Sequence, residues 1–485
     1  MIEKKDNTIY KSSKQPSSLY LIFSIELWER FGFYGLQGIL TIYLTKHLNM
    51  SETQSFELFS SFTALVYGFV SLGGWLGDKI LGSKRVIIFG ILVLTIGYLF
   101  LALSKNNINL LYLGLSTVSV GNGLFKANPS ALLSSCYQEN DERLDSAFTI
   151  YYMAINIGSF LSMFIVPLIV KHFGWNIAFS MSVVGLLITM LNFILCKNLV
   201  KDFGSKPDFK KIDIKVYVYV VIGTIFMIAF SNWLLKNFLV TKVTLILIYL
   251  FITAFFTKEM ICLKGNNKKK MIVAFILMNE AMIFFVLYGQ MPTSLNFFAE
   301  HNVERKIFGI SLEPAQYQAL NPMWIMLISP LLSIFYRKFG SKFSIPYKFS
   351  IGMVFCSVSF LLLSLSSRFS SENGIVSPYW LIMSYGLQSV GELMISGLGL
   401  SMIAKLIPRN LIGFVMGSWF LTSSIAAFLS GHLASMTTFH EEKLFNQLDS
   451  LYIYSSVFMK IGIVTAIISV IMLIISPVLN KIANS

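Results

Sequence analysis

The sequence predicts an all-α polytopic membrane protein with fourteen spans, grouped six, two and six. Three observations lead there. Hydrophobic residues make up 55% of the 485 positions and charged residues 13%, with a mean hydropathy of +0.69, too apolar for an ordinary soluble domain. Apolar runs of roughly 20 residues, the length that a hydrocarbon core about 30 Å thick demands, recur from end to end. The net charge of +14 comes from Lys and Arg in short breaks between those runs. With the N-terminus inside, roughly 26 of the 38 basic residues fall in cytoplasmic loops, about 10 outside and two within spans, as the positive-inside rule expects. That pattern argues against a nucleic-acid surface and places both termini in the cytoplasm.

Apolar runs bounded by charged or turn-rich breaks give spans near 20–45, 56–78, 85–104, 109–136, 146–170 and 175–196. A basic break with Gly204, Pro207, Lys201, Lys206, Lys210 and Lys211 precedes two further runs, near 213–236 and 241–262. After Lys264, Lys268, Lys269 and Lys270 come six more, near 271–295, 316–336, 345–367, 378–405, 411–436 and 453–480. The expected organisation is a six-helix bundle over 1–200, a linker with two extra helices over 201–270 and a second six-helix bundle over 271–485. The first run carries Glu26, Glu29 and Arg30, which the apolar region of a cleavable signal would not tolerate, so it is a retained span.

Cys136, Cys196, Cys262 and Cys356 are too widely spaced to imply a disulfide framework or a metal site. His47, His172, His301 and His440 fall in expected loops, only His432 lies in a span, and no pair has metal-ligand spacing. No metal is expected, and a membrane enzyme is disfavoured for want of a nucleophile, base or metal cluster. A channel would more naturally use rings of repeated residues than one asymmetric charge cluster.

Short echoes relate the two groups of six. Gly82-Ser83-Lys84 recurs as Gly340-Ser341-Lys342, Ser119-Val120-Gly121 as Ser389-Val390-Gly391, and Tyr34-Gly35 as Tyr288-Gly289. Matches at equivalent places favour two related halves that rock about a central cavity. Gly74-Trp-Leu-Gly-Asp78-Lys79-Ile-Leu-Gly82-Ser-Lys84-Arg85 resembles the loop signature of the major facilitator superfamily. There Asp78 is expected to pair with Lys79, Lys84 and Arg85 across the cytoplasmic face of a closed gate. The plainer reading is a positive-inside turn.

Ionisable groups inside spans cost roughly 2.5–3.5 kcal/mol each, so they need partners or a wet cavity. Six stand out: Glu26, Glu29, Arg30, Lys126, Glu280 and Glu392. Glu26 and Arg30, four apart, share a helix face, whereas Glu29 points about 100° away and needs another partner, for which Lys126 is the candidate. A carboxylate set between two cations changes its proton affinity when a substrate draws one cation off. Such a cluster couples protons to binding; the plainer reading is an ion pair that only fixes helix packing. Glu392 has no intramembrane Lys or Arg nearby in sequence. Cations in the first bundle and an unpaired acid in the second suit a dipolar substrate laid between them. Asn156 and Asn321 are candidates for binding a peptide backbone, and Tyr34, Tyr67, Tyr288, Trp324 and Trp419 for lining side-chain pockets. Interhelical hydrogen bonds and ordinary packing are the alternatives.

Glu26-Leu-Trp-Glu29-Arg30-Phe31-Gly-Phe-Tyr34 resembles the ExxERFxYY signature of the proton-dependent oligopeptide transporter family. Gly123-Leu-Phe125-Lys126-Ala127-Asn128 is similar to that family's fourth-helix motif, usually written with FKPN. Gln290-Met-Pro-Thr-Ser-Leu-Asn296-Phe and Gly391-Glu392-Leu-Met-Ile-Ser396 resemble its bacterial dipeptide and tripeptide permease branch. The resemblance implies a major facilitator fold, proton symport, di- and tripeptide substrates, a bacterial inner-membrane location, no cofactor beyond the proton gradient, no nucleic acid and a functional monomer. It assigns proton coupling to Glu26, Glu29, Arg30 and Lys126. Arg30 and Lys126 would attract the peptide carboxylate and Glu392 its amino terminus, with Asn156 and Asn321 on the backbone. Tyr34, Tyr67, Trp419 and Ser423 match pocket residues, and Gln37, Tyr288, Gln290, Trp324 and Ser396 complete the expected pocket. Four departures stand out: Phe33 replaces a tyrosine, Ala127 a proline and Gln37 an arginine, and Gly289 stands where many members carry a glutamate. The alternative is a major facilitator carrier for an amino acid, nitrate or a drug.

Overall fold

The computed structural model describes residues 14–138, 141–307, 309–339, 343–408, 411–438 and 446–484. The echo at Gly340-Ser341-Lys342 and the loop position of His440 lie outside them. Among the described residues the chain is almost wholly helical, as expected. The first six crossings are α1 (Ser17–Lys46), α2 with α3 (Glu52–Gly68, Val70–Trp75), α4 (Ser83–Ser104), α5 with α6 (Ile108–Lys126, Asn128–Ser135), α7 (Arg143–Phe173) and α8 (Trp175–Leu195). The pair α9 (Ile214–Lys236) and α10 (Phe238–Cys262) follows. Then come α11 (Gly265–Tyr288), α12 (Ser294–Asn302), α13 (Leu320–Phe339), α14 (Ile345–Ser366), α15 (Pro378–Leu406), α16 (Ile412–Ser435) and α17 (Gln447–Asn484).

Thirteen of the crossings are long and apolar enough to traverse a bilayer. The fourteenth is α1, 30 residues long, whose three mid-helix charges lower its hydropathy while its buried position keeps them out of lipid. An even number of crossings puts residues 14 and 484 on one face, called here the terminal face; the opposite one is the distal face.

Several expected spans are interrupted. The run near 271–295 does not continue as one helix: α11 stops at Tyr288, the chain turns through Gly289–Thr293, and α12 restarts at Ser294. Pro292 cannot donate to the helix ladder, which explains a break that hydropathy does not register. A small antiparallel hairpin, β1 (Lys306–Ile307) with β2 (Ile310–Ser311), follows α12. The crossing over 109–136 bends between Lys126 and Asn128. His172 lies in the last turn of α7 and His301 in α12, not in loops.

Two large hydrophobic clusters form, one centred on the first six crossings and one on α11–α17, the second also taking in Phe56 and Ala64 of α2. The inserted pair divides between them: α10 contributes Leu245, Ile252 and Phe256 to the second cluster. α9 places Leu234 and Leu235 in the first, while its Val216, Val220 and Met227 pack on a patch of α4 and α5 that includes Val93 and Val120. Most of the pair faces lipid, since only 11% and 17% of their apolar stretches are buried. Contacts between the bundles run through α2 with α16, α7 with α13, and α7 with the turn over Pro314–Ala319. Among the described residues no extensive packing joins α5 and α6 to α15. The bundles therefore close at the distal face and part at the terminal face.

Close backbone approach holds the first bundle together. A Cβ on Gly73 would fall 2.0 Å from the Gly123 carbonyl oxygen, so α3 and α5 touch main chain to main chain. Gly73→Ala should force these helices apart and cost about 1–3 kcal/mol. A thermal melt of the purified protein in detergent checks this, and an unchanged midpoint would contradict the packing described.

Candidate functional site

The α1 motif places charge in the bundle interior. Arg30 lies one helical turn from Glu26 and its Nε is 3.2 Å from Glu26 Oε1. The same guanidinium swings back so that Nη2 is 2.5 Å from Glu29 Oε2. All three side chains are at most 2% exposed. Glu29 also accepts a hydrogen bond from Asn122 Nδ2 of α5 at 3.0 Å. This corrects the sequence expectation: Glu29 finds its cation in Arg30 and not in Lys126, because the long planar guanidinium serves two carboxylates from one backbone position. Gly158 makes the approach of α7 possible, since a Cβ there would lie 2.4 Å from the Leu27 carbonyl oxygen. That closeness brings the Tyr151 hydroxyl to Glu26.

Lys126 is delivered to the cavity by the bend between α5 and α6. Asn128 Nδ2 fastens the bend by donating to the carbonyls of Leu124, at 2.7 Å, and Gly73, at 3.1 Å. Lys126 Nζ stands over the Tyr67 ring, 4.0 Å from its centroid, and makes no ion pair among the described residues, while Arg30, Glu29 and Glu26 remain within Coulombic range. It is a cation held by an aromatic face, free to be drawn toward an anion.

Across the cavity, Glu392 accepts from Asn321 Nδ2 at 2.8 Å, and the same amide donates to Ser389 Oγ at 3.1 Å. The acid expected to be unpaired thus has a neutral partner and no cation. Tyr34, Tyr67 and Tyr152 of the first bundle and Tyr288 of the second lie within Coulombic range of Glu392. Tyr34 and Tyr67 are likewise within Coulombic range of Arg30, and Tyr67 carries Lys126 on its ring.

Other expected residues sit differently. Gln37 shares the α1 stripe of Arg30 and Tyr34 and is 8% exposed. Trp419 is gripped by the gap that Gly399 leaves and meets Phe285 edge-on at 5.8 Å, and Ser423 donates to the Trp419 carbonyl. The Trp324 indole N–H is taken by the Ile382 carbonyl, so only its ring is available. The Asn156 amide donates to Tyr152 O, one turn earlier. Ser396 is half-buried on α15. Gln290 is fully buried and donates to the carbonyls of Val286 and Ser430 while accepting from Ser294, so it braces the break after α11 and does not reach the cavity. Phe33 is 2% exposed and packs on the Arg30 guanidinium at 5.3 Å. A Cβ on Gly289 would strike Ser430 Oγ at 2.4 Å, leaving no room for an acidic side chain there.

The loop motif behaves otherwise than expected. Asp78 and Lys79 are exposed, and Asp78 makes no ion pair among the described residues. Lys84 Nζ donates to the carbonyls of Val200 and Lys201, and Arg85 to those of Leu81, Pro207 and Lys210. Asp208 supplies the acid, accepting from Ser83 Oγ and the Lys84 amide. With the terminal face parted, the cations tie the linker to the first bundle instead of spanning a gate.

Sequence reasoning missed this linker anchor, Asn122, Tyr151 and Tyr152, and the distal closure. There Lys46 pairs with Glu300, which also meets Arg305 at 2.9 Å, and Lys171 pairs with Glu313 at 2.6 Å. His301 Nε2 lies 3.5 Å from Glu52. Burial pushes the His301 imidazole down to about 4, so at neutral pH it faces Glu52 uncharged.

A family model described as POT family matches residues 84–451. The chain is 56% identical over 476 residues to dipeptide and tripeptide permease A of Edwardsiella piscicida, covering 98% of this chain and 97% of that one. It is 55% identical over 468 residues to dipeptide and tripeptide permease A of Escherichia coli strain K12, covering 96% and 93%. Among solved structures it is similar to tetrameric PepTSo2, with a TM-score of 0.86 and 32% identity over 96% of this chain and 99% of that one. A structure described as giving insight into substrate recognition in proton dependent oligopeptide transporters matches with a TM-score of 0.85 and 33% identity, covering 96% and 99%.

Among the described residues Arg30 is the ion-pair partner of both buried acids. Arg30→Ala should destabilise the fold by about 3–5 kcal/mol, the cost of leaving a buried charge uncompensated. Adding Glu26→Gln and Glu29→Gln should recover most of that loss. Melting the three proteins in one detergent checks it, and an Arg30→Ala midpoint equal to wild type would contradict the bridge.

Proposed function

Because the chain belongs to the POT family, we propose that it imports di- and tripeptides together with protons by alternating access across the bacterial inner membrane. Family and relatives are permeases, so the chain is a transporter and not an enzyme. The observation that carries the substrate reading is the division of charge across one cavity. Lys126 and Arg30 stand on the first bundle, and Glu392 stands on the second among tyrosines of both. A zwitterion of peptide length fits that division, with its carboxylate toward Lys126 and its amine toward Glu392. Asn156 and Asn321 lie beside that path and can exchange their present bonds for a peptide's amide groups.

Charge balance supplies the coupling. Glu26, Glu29, Arg30 and Lys126 sum to zero when both acids are ionised. A peptide carboxylate that engages Lys126 leaves the α1 cluster one negative charge in excess, and proton uptake by Glu29 or Glu26 restores neutrality. Peptide and proton thus favour each other's binding. The excess of basic residues in loops of the terminal face supports a cytoplasmic placement of that face, and on this reading the conformation described is inward-open. The bundles over 1–200 and 271–485 are the proposed rocking units, with 201–270 tied to the first by Asp208, Lys84 and Arg85. Each chain holds both halves of the site, so the proposed transport unit is a monomer.

Uptake of a labelled dipeptide into proteoliposomes under an inside-alkaline gradient tests the reading; no gradient-stimulated uptake across a peptide panel would sink it. Lys126→Ala should abolish accumulation. Glu392→Gln should raise the concentration of free dipeptide needed for half-competition at least tenfold, in line with about 2–5 kcal/mol for an unpaired buried charge, and should leave N-acetylated competitors unaffected. Equal competition by free and N-acetylated peptides in wild type would remove the role given to Glu392.

A further inference from the structure

One buried acid takes no part in the site described so far. On α11, Val273, Leu277, Glu280, Phe284 and Leu287 recur at helical spacing and form the helix's buried stripe. Glu280 lies in the middle of that stripe and is 3% exposed. Neither of its carboxylate oxygens has a hydrogen-bond partner among the described residues.

The helices packed against α11 are α10, α14, α15, α16 and α17. They carry Lys242, Lys258 and Glu259 on α10, Lys348 on α14, and Glu392 and Lys405 on α15. His432 on α16 and Asp449, Lys460 and Lys481 on α17 complete the set. None forms an ion pair with Glu280. An ionised carboxylate buried with neither an ion-pair partner nor a hydrogen-bond donor among the described residues costs several kcal/mol and neutralises instead.

We propose that Glu280 is a second proton-binding site, separate from the α1 cluster. It is protonated in the inward-open, distally closed conformation and gives its proton to water when rocking of the second bundle hydrates α11. The step is a simple dissociation, from carboxylic acid to carboxylate with the proton passing to water. Its link to transport is mechanical. Eight residues, about 12 Å of helix, separate Glu280 from Tyr288, which stands at the cavity just before the break at Gly289–Thr293. A movement of that break against Ser430 of α16, to which Gln290 is bonded, shifts the packing around Glu280. The inference rests on the symport reading and adds a second proton per cycle, carried by the second bundle.

Two measurements on the full-length protein in lipid test it. Infrared difference spectra at neutral pH should show a protonated-carboxyl band in wild type that is missing from Glu280→Gln and retained in Glu280→Asp. Reversal-potential measurements in proteoliposomes should give a proton-to-peptide ratio lower by one in Glu280→Gln than in wild type, restored in Glu280→Asp, with peptide counterflow surviving in all three. A band unaffected by Glu280→Gln overturns the protonated state. A lost band with an unchanged ratio shows a permanently neutral acid and overturns the coupling role. Wild type without any gradient-driven peptide uptake would sink the symport reading itself, and the infrared band would still decide the state of Glu280.

Discussion

The arrangement of the cavity depends on one guanidinium. Arg30 bridges Glu26 and Glu29 inside a helix bundle, where all three side chains are shielded from water and from lipid. Two acids and one base leave a net negative charge, and the nearest further cation is Lys126, held on the face of Tyr67. The cluster is therefore neutral only while Lys126 remains near. This constraint explains why the α5–α6 bend is fastened so firmly by Asn128, because it sets where the fourth charge stands. It also explains the glycines at the α1–α7 and α3–α5 contacts, where any side chain would hold the helices too far apart for a short charge network.

The second bundle answers with the opposite economy of charge. Glu392 has a neutral amide partner in Asn321, so its carboxylate is oriented but not neutralised. Orientation without neutralisation favours a cationic ligand, since the hydrogen bond fixes the acid in place while leaving its charge uncompensated. Under the proposed function, holding cations on one bundle and the acid on the other means that closing over a zwitterion removes two charge imbalances in one movement.

Hydropathy and charge made most of this legible in the sequence. The number and order of spans follow from apolar runs, and the intramembrane charges identify Glu26, Glu29, Arg30, Lys126 and Glu392 because such groups are costly unless they do something. What the sequence hid was pairing. Helical periodicity places Glu29 away from Arg30, yet a long guanidinium reaches round the helix to it, which no residue-spacing rule encodes. Asn122 and Tyr151 looked like ordinary polar residues in spans. The role of Asp208 depends on how the linker folds back onto Gly82, Ser83 and Lys84, a contact across more than a hundred residues. Gln290 read as a pocket residue from its motif, and only the path of the chain after Tyr288 shows it bracing a break.

The polar contacts of the distal closure have the weakness that a rocking carrier needs. Lys46 and Lys171 are 51% and 50% exposed, and exposed ion pairs contribute about 0–1 kcal/mol each. Beneath them, Thr41 donates to the Pro292 carbonyl, Gln318 to Gly38, Gln316 to Phe164 and Ser424 to Ala64. Such bonds contribute about 0.5–1.5 kcal/mol each net of water, and they define the register of the two bundles more than they lock it. A switch between two conformations requires them to lie within a few kcal/mol of each other. Alongside these bonds α2 packs on α16 and lends Phe56 and Ala64 to the second hydrophobic cluster, so reversal by peptide and proton requires the opposite conformation to bury a comparable surface.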